Sequence, residues 1–361
     1  MNVFQKSTYY LSLVFSTLMV YFVFAENPMH LGSIIGYVLA GYILMHLSVK
    51  FKEHKKTMIL MIFLAGLPLV LVKVLAVFKI SGLGFLGISY MTFKLIQIII
   101  EIYDGLIEKP MGPLDYVHFL LFFPALSSGP IDRSRRFLED WKKQRTKDEY
   151  LELAGTGLFR LVLGLFYKLV ISGMVFQQMT SIRYKDFSFF VIYMYLYTAY
   201  LFFDFAGYSL MAVGASNILG IETPMNFNIP FISVDIKDFW NRWHITLSTW
   251  LRDFVFSRIV MRFMRKKIFK KRLTTAMVAY MINMTFMGFW HGITLNYIAY
   301  GFYHGILMAA FEWYQKKSKF YKKNKNKTWY KVISWIITMH LVMFGFLIFS
   351  GKMSEWARKL I

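Results

Sequence analysis

The chain has 361 residues, of which 57% are hydrophobic, 19% aromatic and only 17% charged, a balance too apolar for a water-soluble domain. A net charge of +22 invites a nucleic-acid reading, but the cations sit in short blocks between apolar runs, as cytoplasmic loops of a membrane protein require, so no nucleic-acid partner is expected. The absence of cysteine excludes disulfides, thiolate nucleophiles and cysteine metal sites.

In chain order, the apolar runs Thr8 to Ala25, Leu31 to Val49, Thr57 to Phe78, Gly155 to Phe176, Phe187 to Phe205, Leu273 to Trp290, Tyr297 to Trp313 and Val332 to Phe349 each read as a span. Further membrane segments fall between Phe85 and Leu126 and after Tyr208. The reading is an all-α polytopic protein of the cell membrane, one domain over residues 1–361, with about ten or eleven membrane helices, some broken or re-entrant. The first run follows Lys6 and ends Val23-Phe24-Ala25, a poor cleavage site after a long apolar stretch, so it reads as a retained helix. Placing the blocks Lys50 to Lys56, Arg133 to Lys147, Arg262 to Arg272 and Lys316 to Lys331 on the cytoplasmic side leaves the N-terminus inside and the C-terminus outside.

Polar residues interrupt the middle of the chain. Asp204 lies within Phe202 to Phe205, Asn217 follows, and Asn226 and Asn228 stand between Pro224 and Pro230. Polar and non-helical segments at membrane depth need protein or trapped water to satisfy them, which points to a cavity. Lys94, Gln97, Glu101 and Asp104 share one helical face and predict a solvated or cavity-lining stripe. From Phe122 to Arg133 two prolines, a glycine and two serines break any helix and suggest a re-entrant turn. Neither Ser127 nor Ser128 sits in a nucleophile elbow.

Two histidines stand in aromatic surroundings. Lys237 to His244 reads Lys-Asp-Phe-Trp-Asn-Arg-Trp-His, and Met287 to Gly292 reads Met-Gly-Phe-Trp-His-Gly. Ionisable groups at membrane depth are costly and usually serve a pathway or a reaction. A neutral imidazole at His291 could take a proton from an alcohol or amine and pass it to a leaving group; the alternative is a histidine hydrogen-bonded for packing alone. His244, beside Asp238, Asn241 and Arg242, reads as the supporting partner. Their spacing, without nearby carboxylate or cysteine ligands, is not that of a metal site. From 239 to 254 helical periodicity gives an apolar face through Phe239, Trp243, Leu247, Trp250 and Phe254, in a segment that lies at an interface or lines a pocket more readily than it spans. His304 and His340 read as packing or interface residues, and His30, His46, His54 and His118 as loop or interface histidines.

These motifs resemble the membrane-bound O-acyltransferases. The resemblance rests on Lys237 to His244, Ser248 to Asp253 and Gly288 to Gly292, and is dense over residues 82–312. Gly87 to Phe93, Glu101 to Leu106 and Ser128 to Phe137 are similar to its D-alanyl-transferring branch. The resemblance implies a ring of helices around a thinned core, where an outer funnel meets a tunnel from the cytoplasm at His291. It implies no cofactor bound by the chain itself; a D-alanyl carrier protein would supply phosphopantetheine bearing a D-alanyl thioester. D-alanine would pass to a hydroxyl of the lipoteichoic or teichoic acid pathway, directly or through other membrane proteins of D-alanylation. Trp290, Gly292, Ser248, Asn241 and Asp238 become candidates for the substrate tunnel. Arg133, Arg135 and Arg136, with Lys142 and Lys143, would attract an acidic carrier, although the positive-inside rule alone also accounts for them. Two other readings stay open: an O-acyltransferase of the same superfamily acting on an extracellular polysaccharide, and a transporter or flippase, for which the sequence offers no inverted repeat.

Overall fold

The computed structural model describes residues 3–78, 84–182 and 188–355, with side chains from Tyr10 onward. Gly82 and Phe187, where the dense resemblance and one predicted span begin, lie outside the described residues. Sixteen α-helices follow in order among the described residues: α1 Val3–Phe24, α2 Pro28–Lys50, α3 Lys55–Val77, α4 Ile88–Tyr103, α5 Pro113–Leu121, α6 Ser134–Lys142, α7 Lys147–Leu165, α8 Ser172–Ser181, α9 Ser188–Ile218, α10 Ile236–Arg242, α11 Ile245–Leu251, α12 Ser257–Arg265, α13 Arg272–His291, α14 Leu295–Lys317, α15 Lys319–Asn324 and α16 Thr328–Phe349. A π-helical stretch, Phe166–Ile171, joins α7 to α8. Among the described residues, five helical stretches are long and apolar enough to cross a membrane: Pro28–Lys50, Lys55–Val77, Lys147–Ser181, Ser188–Ile218 and Thr328–Phe349. The predicted spans over α13 and α14 form long helices but do not reach the apolarity of these five.

The chain divides into two compact units, residues 1–165 with 208–225, and 166–207 with 226–361. In the first, α2, α3, α4 and α5 pack around a core that includes Met45, Met91, Ile98, Tyr116 and Phe119. The polar stripe on α4 is buried rather than solvated. Lys94 donates to the Phe119 carbonyl (2.9 Å), Gln97 accepts from Arg133 (3.4 Å) and Glu101 accepts from Ser134 (3.0 Å), while Asp104 alone caps the helix in the open. The stripe fastens the chain from Phe119 to Ser134, where the prolines break the helix as expected and leave one 3₁₀ turn, Phe123–Ala125. His118, expected in a loop or at an interface, lies within α5 and is fully buried, with its Nε2 2.9 Å from the Ser12 hydroxyl and its ring packed against Trp141. Asn217 is also satisfied within protein, accepting from Arg160 (2.7 Å) and donating to the carbonyls of Val213 and Ile221 once its amide is oriented to fit.

In the second unit, α13 and α14 form an antiparallel hairpin whose backbones nearly touch. A Cβ placed on Gly301 would lie 2.5 Å from the Met284 carbonyl oxygen and 2.9 Å from the Gly288 Cα. One placed on Gly288 would lie 2.4 Å from the Tyr297 carbonyl oxygen. Small residues permit this approach, and in lipid such close packing replaces the hydrophobic drive that water would supply. Helix α16 lies against α14, with His304 of α14 filling the space that Gly345 leaves. The irregular segment before α10 is held to α16 by side-chain donors: Trp335 Nε1 reaches the Phe231 carbonyl (2.6 Å), and Ser334 (2.6 Å) and Thr338 (3.3 Å) reach the Val234 carbonyl. Asp204 of α9 pairs with Lys168 (2.5 Å) and does not line the cavities described below.

Gly301→Ala should therefore cost about 1–3 kcal/mol, because rigid backbone and not a movable side chain meets the new methyl. Thermal unfolding in detergent should show a lower midpoint than the native chain. Gly155→Ala, whose Cβ meets nothing within 4 Å, should hold or raise it. Equal midpoints for the two variants would contradict the hairpin seam.

Candidate active site

The segment from Lys237 onward is not one continuous helix. Asp235 caps α10 by accepting from the amides of Lys237 and Asp238 (both 2.9 Å), and α10 ends at Arg242. His244 then takes φ +46°, a left-handed conformation uncommon for a residue other than glycine, and the chain re-enters helix at Ile245. That turn puts the imidazole inward, 3% exposed, with the Phe205 ring edge-on at 4.7 Å. The helical periodicity read from the sequence holds within each piece but is broken at His244.

His291 closes α13, with Gly292 as its C-cap. Gly292 has an extended backbone, φ −179°, so its need is for space: a Cβ there would lie 2.3 Å from the Tyr297 ring. Tyr297 in turn stacks over His291 at 6.2 Å, and Trp290 (4.6 Å), Phe349 (5.1 Å) and Tyr300 (6.2 Å) complete an aromatic surround. His244 and His291 line one small chamber of about 50 Å³, with Phe205, Leu247, Tyr300 and Phe349 among its walls. A chamber of this size holds a hydroxyl group or a water or two, not a sugar ring.

A second cavity, of about 190 Å³, shares Trp240 and Met287 with the chamber. Its polar lining comes from Lys237, Asn241, Ser248, Thr249, Arg252 and Asn283, and its apolar lining includes Met284 and Met308. Of the tunnel candidates, Asn241 and Ser248 line this cavity, while Trp290 and Gly292 flank His291 without lining either space. Asp238 lies on neither wall; it pairs with Arg242 (2.8 Å) and accepts from the Val234 amide (3.3 Å). Lys237 is held by Glu312 and by Gln315 (2.7 Å). Asn226 was legible only as a polar residue in an apolar stretch; its side chain meets His244. Trp240 and Met287, the shared wall, stand inside the two histidine motifs but are not singled out there as site residues. Among the described residues no group of three or more histidine, aspartate or glutamate side chains gathers as metal ligands would.

The arginines of the other unit differ in freedom. Arg135 is exposed. Arg133 donates to Gln97, and Arg136 is engaged by the buried Asp132 carboxylate and the Glu222 carbonyl. Burial pushes the Asp132 carboxyl upward against the opposing pull of Arg136, so the two charges depend on each other.

Comparison with known proteins narrows the open readings. The membrane-bound O-acyltransferase family matches residues 33–353. The chain belongs to that family. It is 46% identical over 274 residues to a teichoic acid D-alanyltransferase of Bacillus subtilis, covering 75% of this chain and 69% of that one. A teichoic acid D-alanyltransferase of Streptococcus thermophilus is 43% identical over 331 residues, 85% of this chain and 79% of the relative. A probable alginate O-acetylase of Pseudomonas aeruginosa is 31% identical over 277 residues, 74% of this chain and 49% of the relative. The chain is thus a multi-pass membrane acyltransferase.

Gly292→Ala should push the Tyr297 ring off its place over His291. Acyl transfer should fall by about tenfold or more, as displacement of a positioned group by a fraction of an ångström to an ångström commonly costs. Thermal unfolding run alongside should show a midpoint close to the native one, since the obstructing atoms belong to a partly exposed ring; an unchanged transfer rate would remove Gly292 from the site.

Proposed function

We propose that this chain transfers D-alanine from the thioester of a carrier protein's phosphopantetheine arm to a hydroxyl of the teichoic or lipoteichoic acid pathway, with His291 as the general base and His244 in support. The observation that carries the proposal is the chamber lined by both motif histidines, in a chain over 40% identical to proteins named teichoic acid D-alanyltransferases. The lower identity to alginate O-acetylases makes a polysaccharide acceptor of that kind the second reading.

In the reaction, the acceptor oxygen attacks the thioester carbonyl, its proton passes to the imidazole of His291, and the carbon–sulfur bond breaks as the proton moves on to sulfur. A thioester is already activated, so the chain need supply only position and a base. The larger cavity suits an arm of amides and methylenes, since Asn241, Ser248 and Thr249 offer hydrogen bonds beside Met284, Met287 and Met308. Trp240 and Met287 stand between that cavity and the histidines, and their apolar bulk would keep water from a thioester waiting there. The ring of about ten or eleven helices around a funnel and tunnel is part of this proposal. So is docking of the carrier on Arg133, Arg135 and Arg136, and cooperation with other membrane proteins of the D-alanylation pathway.

Purified protein, its D-alanylated carrier and labelled D-alanine test the proposal. His291→Ala and His291→Gln should lower transfer by about 10²–10⁴ while carrier binding survives. More than about a tenth of native activity in either variant would end the general-base assignment. A solute crossing proteoliposomes without carrier, with His291 dispensable, would instead support a transporter.

Charge at the carrier surface is tested separately. Arg135→Glu should slow carrier association and weaken its salt dependence, which should be steepest as the Debye length falls below about 10 Å. Arg136→Glu is a poorer probe, because it also strands the buried Asp132. Association rates indifferent to both salt and Arg135 would return the basic block to topology alone.

A further inference from the structure

The segment bearing Asn226 is fastened to the turn at His244 by three contacts. Its backbone carbonyl accepts from the Ile245 amide (2.9 Å), its Oδ1 accepts from the Thr246 hydroxyl (2.5 Å), and the same Oδ1 faces His244 Nδ1 at 3.4 Å. Asn226 is fully buried and its Nδ2 finds no hydrogen-bond partner among the described residues. A buried amide that leaves one end unsatisfied carries a cost, and is kept where its other end serves a purpose. An amide oxygen can only accept. A ring nitrogen facing it must carry the hydrogen, and in a neutral imidazole the second nitrogen is then a bare lone pair.

We propose that Asn226 is a positioning residue that selects the tautomer of His244, holding the hydrogen on Nδ1 so that Nε2 is the hydrogen-bond-accepting atom of that ring. The left-handed backbone at His244 belongs to the same device: the Asn226 carbonyl bond to Ile245 secures the residue just after the turn, and the side-chain contact orients the ring once it is turned. Thr246 supports it by donating to the other lone pair of Oδ1. In the chamber shared with His291, a lone pair on His244 Nε2 can accept a hydrogen bond from the D-alanyl ammonium and so hold the acyl group, leaving the acceptor hydroxyl's one hydrogen to His291, while an N–H there would repel that ammonium. The consequence for transfer rests on the acyltransfer reading above, whereas the tautomer itself does not.

The test is nitrogen NMR of ¹⁵N-histidine-labelled protein in detergent, with His244→Gln identifying the signal, beside transfer kinetics. Native protein should show His244 protonated at Nδ1. Asn226→Leu, which keeps volume but no acceptor, should shift the ring toward the Nε2-protonated form and lower kcat at least tenfold, with KM for the carrier unchanged. Asn226→Asp, which keeps an acceptor oxygen at the same place, should restore the native tautomer. Thr246→Val should give a mixture of tautomers and an intermediate kcat, and serves where Asn226→Leu fails to fold. An Nε2-protonated His244 in the native protein, or native kcat in a folded Asn226→Leu, would overturn the proposal. Absence of any transfer by native protein with an intact Nδ1-protonated His244 would instead sink the acyltransfer reading alone.

Discussion

Bare backbone meeting bare backbone, Gly288 against Gly301, is the contact on which the geometry of the site depends. It sets α13 and α14 at a separation that no side chain could share, and so fixes where α13 ends. His291 is the last residue of that helix, and the turn behind it is short because α14 begins at Leu295. Tyr297 then lies over both Gly292 and the His291 ring, and Tyr300, one turn on, reaches the chamber. A soluble helical hairpin could find its register through apolar side chains seeking refuge from water. In lipid that drive is absent, and close fit performs the role.

Buried polar groups do the rest of the fastening, separately within each unit. In one, Lys94, Gln97 and Glu101 hold the segment broken by prolines. Arg145 gathers Asp140 (2.5 Å), the Gly220 carbonyl (2.8 Å) and Glu222 (3.2 Å). In the other, Val234 and Phe231 give their carbonyls to α16, and Asn226 fixes the turn at His244. Irregular backbone at membrane depth survives only when its polar groups are answered in this way. Much of the basic block from Arg133 to Lys147 is therefore occupied internally, with Lys142 paired to Asp115 (2.5 Å) as well, and Arg135 stands out as an exposed member of it.

The sequence made the membrane character, the helical class and both histidines legible, because long apolar runs and costly buried imidazoles each leave a mark on composition. It also located the helix break after Phe122, since proline removes a donor wherever it stands. The turn at His244 was not legible: the apolar period runs through it undisturbed, and a left-handed histidine has no sequence signature of its own. His118 reads as a loop or interface histidine in the sequence because its partner, Ser12, lies 106 positions away. Asp204 and Asn217 were read as signs of a cavity, yet each is answered by one cation, Lys168 and Arg160, and distant pairing of that kind cannot be read from spacing.

The pairing of Lys168 with Asp204 bears on how the chain enters the bilayer. Each charge stands within a long apolar stretch, Lys147–Ser181 and Ser188–Ile218. A single lysine or aspartate at the centre of an inserting helix costs about 2.5–3.5 kcal/mol. Held at the translocon together, the two stretches present one neutral pair in place of two isolated charges. They are suited to leave the translocon as a helical hairpin, the second drawing in the first, rather than one at a time in order of synthesis.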